Sequence, residues 1–236
     1  MSEAESGVPV AGPVDGPVVV AVDGPAGSGK SSVSKAAAVA LDYAFLDTGA
    51  AYRALTWFAL ERGVDLADAA AVVALLDHFS YATEVHGEAT VVRVDGVDVT
   101  GVIREPRISA EVSDVARIPE VRVALNDVFR RLIAATDRPG IVVEGRDITT
   151  VVAPDAAVRI LLTADEDVRI GRRSAELSPD AASTASQLRE RDRRDAQVVD
   201  FLTAAPGVTT IDSTELDFGQ TVQAVVDLVR TTTSPH

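Results

Sequence analysis

Short apolar runs, each followed by a stretch with helical spacing, recur along this chain. Val18-Val19-Val20-Ala21-Val22 contains no polar alternation, which predicts a strand buried on both faces. The Ala-rich stretch from Ser32 to Leu41 predicts a helix. Tyr43 to Leu46 predicts a second, short strand, and a helix is expected from near Gly49 to Glu61, stopped by Gly63, with Trp57 and Phe58 in the core. Residues 68–78 predict another helix. The period then changes. Residues 81–85, 90–94 and 97–99 alternate, with turns at His86-Gly87 and Asp95-Gly96, and the Asp-Gly pair between Val-rich arms predicts a hairpin. Residues 104–116 and 119–136 predict two helices, the second with Pro119 in its first turn. Residues 140–144 and 157–162 are further apolar strands. A helix is expected from Asp165 past Arg169, an exposed mobile loop over 177–185, a charged helix over 187–195, a fifth strand over 208–211 and a last helix over 218–230. The Gly- and Pro-rich residues 1–17 predict a flexible leader and residues 231–236 a frayed tail. Strand–helix alternation around apolar strands predicts an α/β fold with a parallel sheet covered on both faces.

Composition narrows the function. The 236 residues are enough for one sizeable core, which must be built from Val, Ala, Leu and Ile because aromatics make up only 4%. A formal net charge of −14 argues against nucleic acid or a membrane surface as partner. Cysteine is absent, which removes disulfides, thiolate metal sites and Cys nucleophiles. No apolar run reaches the length of a membrane span, and the acidic first residues lack the layout of a secretion signal, so a cytoplasmic protein is expected.

Candidate chemistry gathers at the predicted strand ends, where open α/β sheets bind ligands. Between the first strand and helix, Gly24-Pro25-Ala26-Gly27-Ser28-Gly29-Lys30-Ser31 fits G-x-x-x-x-G-K-[ST] in the order strand, loop, helix. Glycines let backbone N–H groups turn inward around a polyphosphate, and the helix adds its positive end. Lys30 would reach the β/γ-phosphates, and the Ser31 hydroxyl would hold Mg²⁺. Thr48, Tyr52 and Arg53 follow the second strand. Thr48 fits a helix N-cap as well as a ligand contact. Gly145-Arg146-Asp147 follows the third. Glu190-Arg191-Asp192-Arg193-Arg194-Asp195 carries mixed charge, a pattern that by itself suits a solvated helix face.

These segments occur together, in order and spacing, over residues 17–230: Asp23 to Ser32, Leu46 to Arg53, Val143 to Ile148, and the Arg-Asp-rich stretch 190–195. In this the chain resembles the bacterial cytidylate kinases, a family of P-loop nucleoside monophosphate kinases. The resemblance implies a five-stranded parallel sheet flanked by helices in a kinase domain over 18–230. It also implies a β-containing monophosphate-binding insertion at about 49–136 and a mobile lid at about 172–198. It implies ATP as phosphoryl donor, Mg²⁺, and small nucleotides as the partners of a monomer. Residues 24–32, from Gly24, Pro25, Ala26 and Gly27 to Ser28, Gly29, Lys30, Ser31 and Ser32, would bind ATP. Thr48, Tyr52, Arg53 and Arg146 would hold the acceptor phosphate. Ser113, Arg122 and Asp147 would read cytosine, and Asp195 the ribose, with Arg191 and Arg194 near the phosphates. Arg172 and Arg173 would contact ATP or the moving phosphoryl group. Lys30, Arg146, Arg172, Arg173 and Arg191 are thus the expected catalytic set. Arg104 also matches a family arginine, without a role.

Two positions depart from that pattern. Val198 stands where the family carries an arginine that contacts the monophosphate, and Thr149 stands where the second glycine of Gly-Arg-Asp-x-Gly-Thr is expected. The expected reaction is transfer of the ATP γ-phosphoryl group to CMP or dCMP. Its competitors are a kinase of another acceptor such as UMP, AMP or shikimate, a GTPase-type switch, and a kinase-derived nucleotide sensor or slow paralogue. The switch reading lacks an N-K-x-D segment. The three histidines, His78, His86 and His236, form no cluster, as suits a reaction in which the acceptor oxygen is already anionic and no base is required.

Overall fold

The computed structural model describes residues 16–86, 89–177 and 181–234; the side chains of Arg173 and Arg191 are among those outside the description. The central sheet is parallel. Its strands are β1 (Val18–Asp23), β2 (Ala44–Asp47), β6 (Gly140–Gly145), β7 (Val158–Thr163) and β8 (Thr209–Asp212), in the spatial order β2-β6-β1-β7-β8. The insertion is a separate antiparallel sheet of β3 (Tyr81–His86), β4 (Ala89–Val94) and β5 (Val97–Asp98). Asp95 (φ 50°) and Gly96 (φ 78°) both adopt the left-handed conformation that a tight Asp-Gly hairpin turn demands.

Eight α-helices are described: α1 (Lys30–Leu41), α2 (Thr48–Glu61), α3 (Ala69–Ala74), α4 (Pro106–Ala116), α5 (Pro119–Ala134), α6 (Glu166–Leu177), α7 (Ala181–Ala196) and α8 (Phe218–Thr233). Side chains of β1 alternate between two cores. Val20 and Val22 pack with Ala37 and Ala38 of α1 and Val225 and Val229 of α8. Ala21 faces the other way, with Leu46, Val143, Leu55 and Phe58 of α2 and Phe129 of α5. Val92, Val94 and Val99 of the insertion join this second core, so the small sheet is anchored to the domain.

The structure corrects several expected boundaries. Helix α1 begins at Lys30, because Gly29 (φ 84°) turns the chain directly into it. Residues 75–78 form a 3-10 turn after a shorter α3. The expected mobile loop is mostly helix, since α6 runs to Leu177 and α7 starts at Ala181; residues 178–180 lie outside the description. Helix α8 continues to Thr233, into the expected tail. A π-helical turn over Ile148–Val152 has no counterpart in the sequence pattern. The leader up to residue 15, Gly87 of the first expected turn, and residues 235–236 lie outside the description.

Candidate functional site

Strand register decides which residues meet. Asp23 pairs with Gly145, and Asp47 with Glu144, so the carboxyl ends of β1, β2 and β6 finish on one edge. Above it opens a cleft of about 470 Å³. One end is the loop at Gly24–Ser31. Gly27 (φ 76°) and Gly29 (φ 84°) take conformations that other residues reach only with strain, the backbone freedom a phosphate-cradling loop uses. Lys30 lies at the start of α1, its Nζ 3.5 Å from the Pro25 carbonyl oxygen. Ser31 Oγ donates to Glu144 Oε1 at 2.6 Å.

Behind that serine stand two acids the sequence did not single out, Asp47 and Glu144. Burial, helped by the charge of Asp47, pushes the Glu144 carboxyl above its ordinary value against the pull of Lys30. Burial also acts on Asp47, but Arg53 and the Ala50 N–H outweigh it and hold that carboxyl low; Arg53 Nη2 donates to Asp47 Oδ2 at 2.8 Å. The donor set is hard oxygen next to the P-loop serine, which suits a magnesium ion.

In the same cleft, Arg122 of α5 forms a close ion pair with Asp147. Burial raises the affinity of the Asp147 carboxyl for its proton, with Arg122 opposing it. Tyr52 and Arg53 line the same cleft, and the Tyr52 hydroxyl and Arg53 Nε are buried without a hydrogen-bond partner. Buried polar atoms are rarely left so; both are available to a ligand. Burial raises the Tyr52 phenol well above its usual range, so it is a donor. Thr48 Oγ1 instead donates to the Glu144 carbonyl at 2.8 Å, tying the start of α2 to β6, while Asp47 accepts the Ala50 N–H as N-cap of α2.

Helix α7 forms the third wall. Asp195 accepts from Ser113 Oγ at 2.9 Å and from Arg146 Nε at 3.1 Å. Arg146 also donates to the Gly24 carbonyl, and its guanidinium lies 4.3 Å above the Phe201 ring. Asp192 gathers three elements: it accepts from the Ala26 N–H at 3.0 Å, Arg146 Nη2 at 3.3 Å and Arg169 Nη1 at 2.6 Å. Sequence reasoning missed Asp192, Arg169 and Phe201 in these roles. The repeating Arg-Asp pattern of α7 was the available signal for Asp192; nothing local distinguishes Arg169 or Phe201.

Of the expected residues, Ala26, Gly27, Gly29, Lys30, Ser31, Ser32, Thr48, Tyr52, Arg53, Ser113, Arg122, Arg146, Asp147, Arg194 and Asp195 all line this cleft, together with Arg104 and Val198. Gly24, Pro25 and Ser28 form the remainder of the loop. Arg172 does not reach the cleft. Its guanidinium donates to Ser213 Oγ at 2.9 Å, to the Ser213 carbonyl at 2.7 Å and to the Leu216 carbonyl at 3.2 Å, bracing the β8–α8 connection. Arg194 pairs with Glu190 on its own helix.

The family model for cytidylate kinase matches residues 20–231. This chain belongs to the cytidylate kinase family. A cytidylate kinase of Cutibacterium acnes is 47% identical over 221 residues, covering 92% of this chain and 97% of the relative. One from Streptomyces avermitilis is 41% identical over 214 residues, covering 90% and 92%. An uncharacterized protein of Eubacterium ventriosum, solved by crystallography, shares the fold at a TM-score of 0.50 and 11% identity, over 91% of this chain and 99% of that one. The chain is thus a P-loop phosphotransferase with a nucleotide-binding site, and no described helix is long and apolar enough to cross a membrane.

Proposed function

We propose that this family member transfers the γ-phosphoryl group of ATP reversibly to CMP or dCMP. The observation that supports it best is the ion pair of half-buried Arg122 with buried Asp147, which lines the same cleft as the P-loop. Cytosine presents an N4 amino donor beside ring acceptors. The Asp147 carboxylate suits the donor, and Arg122 with Ser113 suits the acceptors. Arg53, Tyr52 and Arg146 would hold the monophosphate between the base site and Lys30, and Asp195 would hold the ribose hydroxyls. Val198 supplies no charge; Arg194, which lines the same cleft, would have to supply it instead.

The donor phosphates would lie in the Gly24–Ser31 loop with Lys30. Ser31, backed by Glu144 and Asp47, would hold Mg²⁺. Bound there, that ion neutralises developing phosphate charge. An acceptor phosphate oxygen forms the new P–O bond as the bond from the γ-phosphorus to the β,γ-bridging oxygen breaks, and ADP leaves with that electron pair. The oxygen is anionic at neutral pH, so this chain's work is alignment and charge neutralisation. Arg172 is better read as a brace of the β8–α8 connection. A cytoplasmic monomer without nucleic-acid or membrane partners belongs to the same proposal, and the acidic surface supports it.

The test is steady-state ADP production from MgATP with CMP, dCMP, UMP, AMP or GMP. Strong stimulation by CMP and dCMP is expected. Stimulation by another acceptor alone would overturn the base-reading assignment. ATP binding without acceptor-dependent turnover would favour the sensor reading and make Val198→Arg the next variant.

A further inference from the structure

The residue that departs from the family pattern after Gly-Arg-Asp has a defined partner. Thr149 is 3% exposed and does not lie in the left-handed region, so its side chain introduces no backbone strain where glycine is expected. Its hydroxyl donates to Asp23 Oδ2 at 2.6 Å. The same carboxylate accepts the Thr149 N–H at 2.9 Å and the Ile148 N–H at 2.7 Å. A glycine would keep both amide bonds and lose the third. Asp23 ends β1 directly before Gly24, and Ile148 directly follows Asp147. One buried carboxylate therefore joins the root of the P-loop to the main chain that carries Asp147. That chain needs a fixed point. After Asp147 it widens into the π-helical turn, whose Val151 and Val152 N–H groups both return to the Asp147 carbonyl, at 2.9 and 3.2 Å.

We propose that Thr149 is a positioning residue for the acceptor: its hydroxyl, through Asp23, holds the Asp147 carboxylate where the acceptor base is read and ties that position to the P-loop. The inference rests on the reading of Asp147 as a base contact. A hydroxyl donating to a carboxylate is among the stronger hydrogen bonds, and its short length fits that class. Burial raises the Asp23 carboxyl above its ordinary value, and the hydrogen bonds from Thr149 and Ile148 oppose that rise, as does Lys30 of α1. Asp147, itself faced by Arg122 of α5, also faces Asp23, and Arg159 of β7 donates to the Thr149 carbonyl at 3.4 Å. Without the hydroxyl, Asp23 takes up its proton at higher pH, and a protonated Asp23 grips the two amides less well.

The experiment compares Thr149→Val, which keeps the shape and removes the donor, with Thr149→Ser, which keeps the donor. Steady-state constants for CMP and for ATP are measured from about pH 5.5 to 8.5. For Thr149→Val we expect KM for CMP to rise about 10-fold, on the scale of one charge-assisted hydrogen bond, while KM for ATP stays within about twofold. The acid limb of kcat/KM for CMP should move to higher pH. Thr149→Ser should restore both. A merely structural role would lower the melting temperature without this split or this pH shift. Unchanged constants and pH profile in Thr149→Val, an equal rise of both KM values, or failure of serine to rescue would each overturn the proposal. Asp147→Asn separates it from its premise. If that variant alters KM for CMP and acceptor preference while Thr149→Val does nothing, only the role of Thr149 falls. If Asp147→Asn leaves both unchanged, the base-reading assignment falls, and this inference with it.

Discussion

Gly145→Ala tests the claim that packing at the end of β6 sets the acceptor site. A β-carbon built on Gly145 would lie 2.5 Å from Thr48 Oγ1 and 2.7 and 2.9 Å from Ile148 Cδ1 and Cγ1. Carbon atoms pack best at about 3.5–4.0 Å, so the Ile148 contact is roughly 1 Å too close. Neither neighbour can swing into open space, since Thr48 and Ile148 are both buried. Rotating Thr48 would break its hydrogen bond to the Glu144 carbonyl, leaving a buried group unpaired at a cost of about 1–3 kcal/mol. Moving Ile148 would disturb the Asp23 anchor. Overpacking of this kind costs about 1–3 kcal/mol. For a chain of this size that is a fall in melting temperature of roughly 2–4 °C per kcal/mol, or about 2–12 °C in all. Arg146 and Asp147 follow directly, so KM for CMP should rise more than KM for ATP. Differential scanning calorimetry and steady-state kinetics would check both. A melting temperature within about 1 °C of the parent together with an unchanged KM for CMP would refute the reasoning.

Gly171→Ala is the control. Gly171 lies inside α6 with open space around its α-carbon, so alanine should raise stability by about 0.5–1 kcal/mol, read as a higher melting temperature. Lys30→Ala and Arg146→Ala should each remove phosphoryl transfer while the circular dichroism spectrum stays folded; near-normal turnover in either would sink the assignment of that residue. The Glu144 carboxyl is raised in the folded protein, so stability from this group is fully present below its unfolded value, about 4.5, and is lost as pH rises through the higher folded value. Thermal denaturation from acid to neutral pH should show Glu144→Gln gaining on the parent across that window, and a constant difference between the two would contradict it.

Sequence by itself determined the layers and the phosphate loop. Uninterrupted β-branched runs such as Val18–Val22, bounded by glycine, favour strands covered on both faces, and the Gly-rich loop between a strand and a helix has its chemistry in its own backbone. These are local properties, readable over a few residues. Register was not local. That Asp47 sits beside Glu144, and Asp23 beside Gly145, depends on which strands became neighbours, an order the run of residues does not state. The same limit explains Asp192 and Arg169, which gain their roles by folding α6 and α7 onto the P-loop, and Arg172, a lid-side arginine by position that the structure turns onto Ser213. Thr149 shows the difference most clearly. In sequence it is a substituted glycine with an open question about backbone strain. Only the fold, by placing a buried carboxylate 2.6 Å from its hydroxyl, decided that the residue is held in place by a hydrogen bond between segments more than a hundred residues apart.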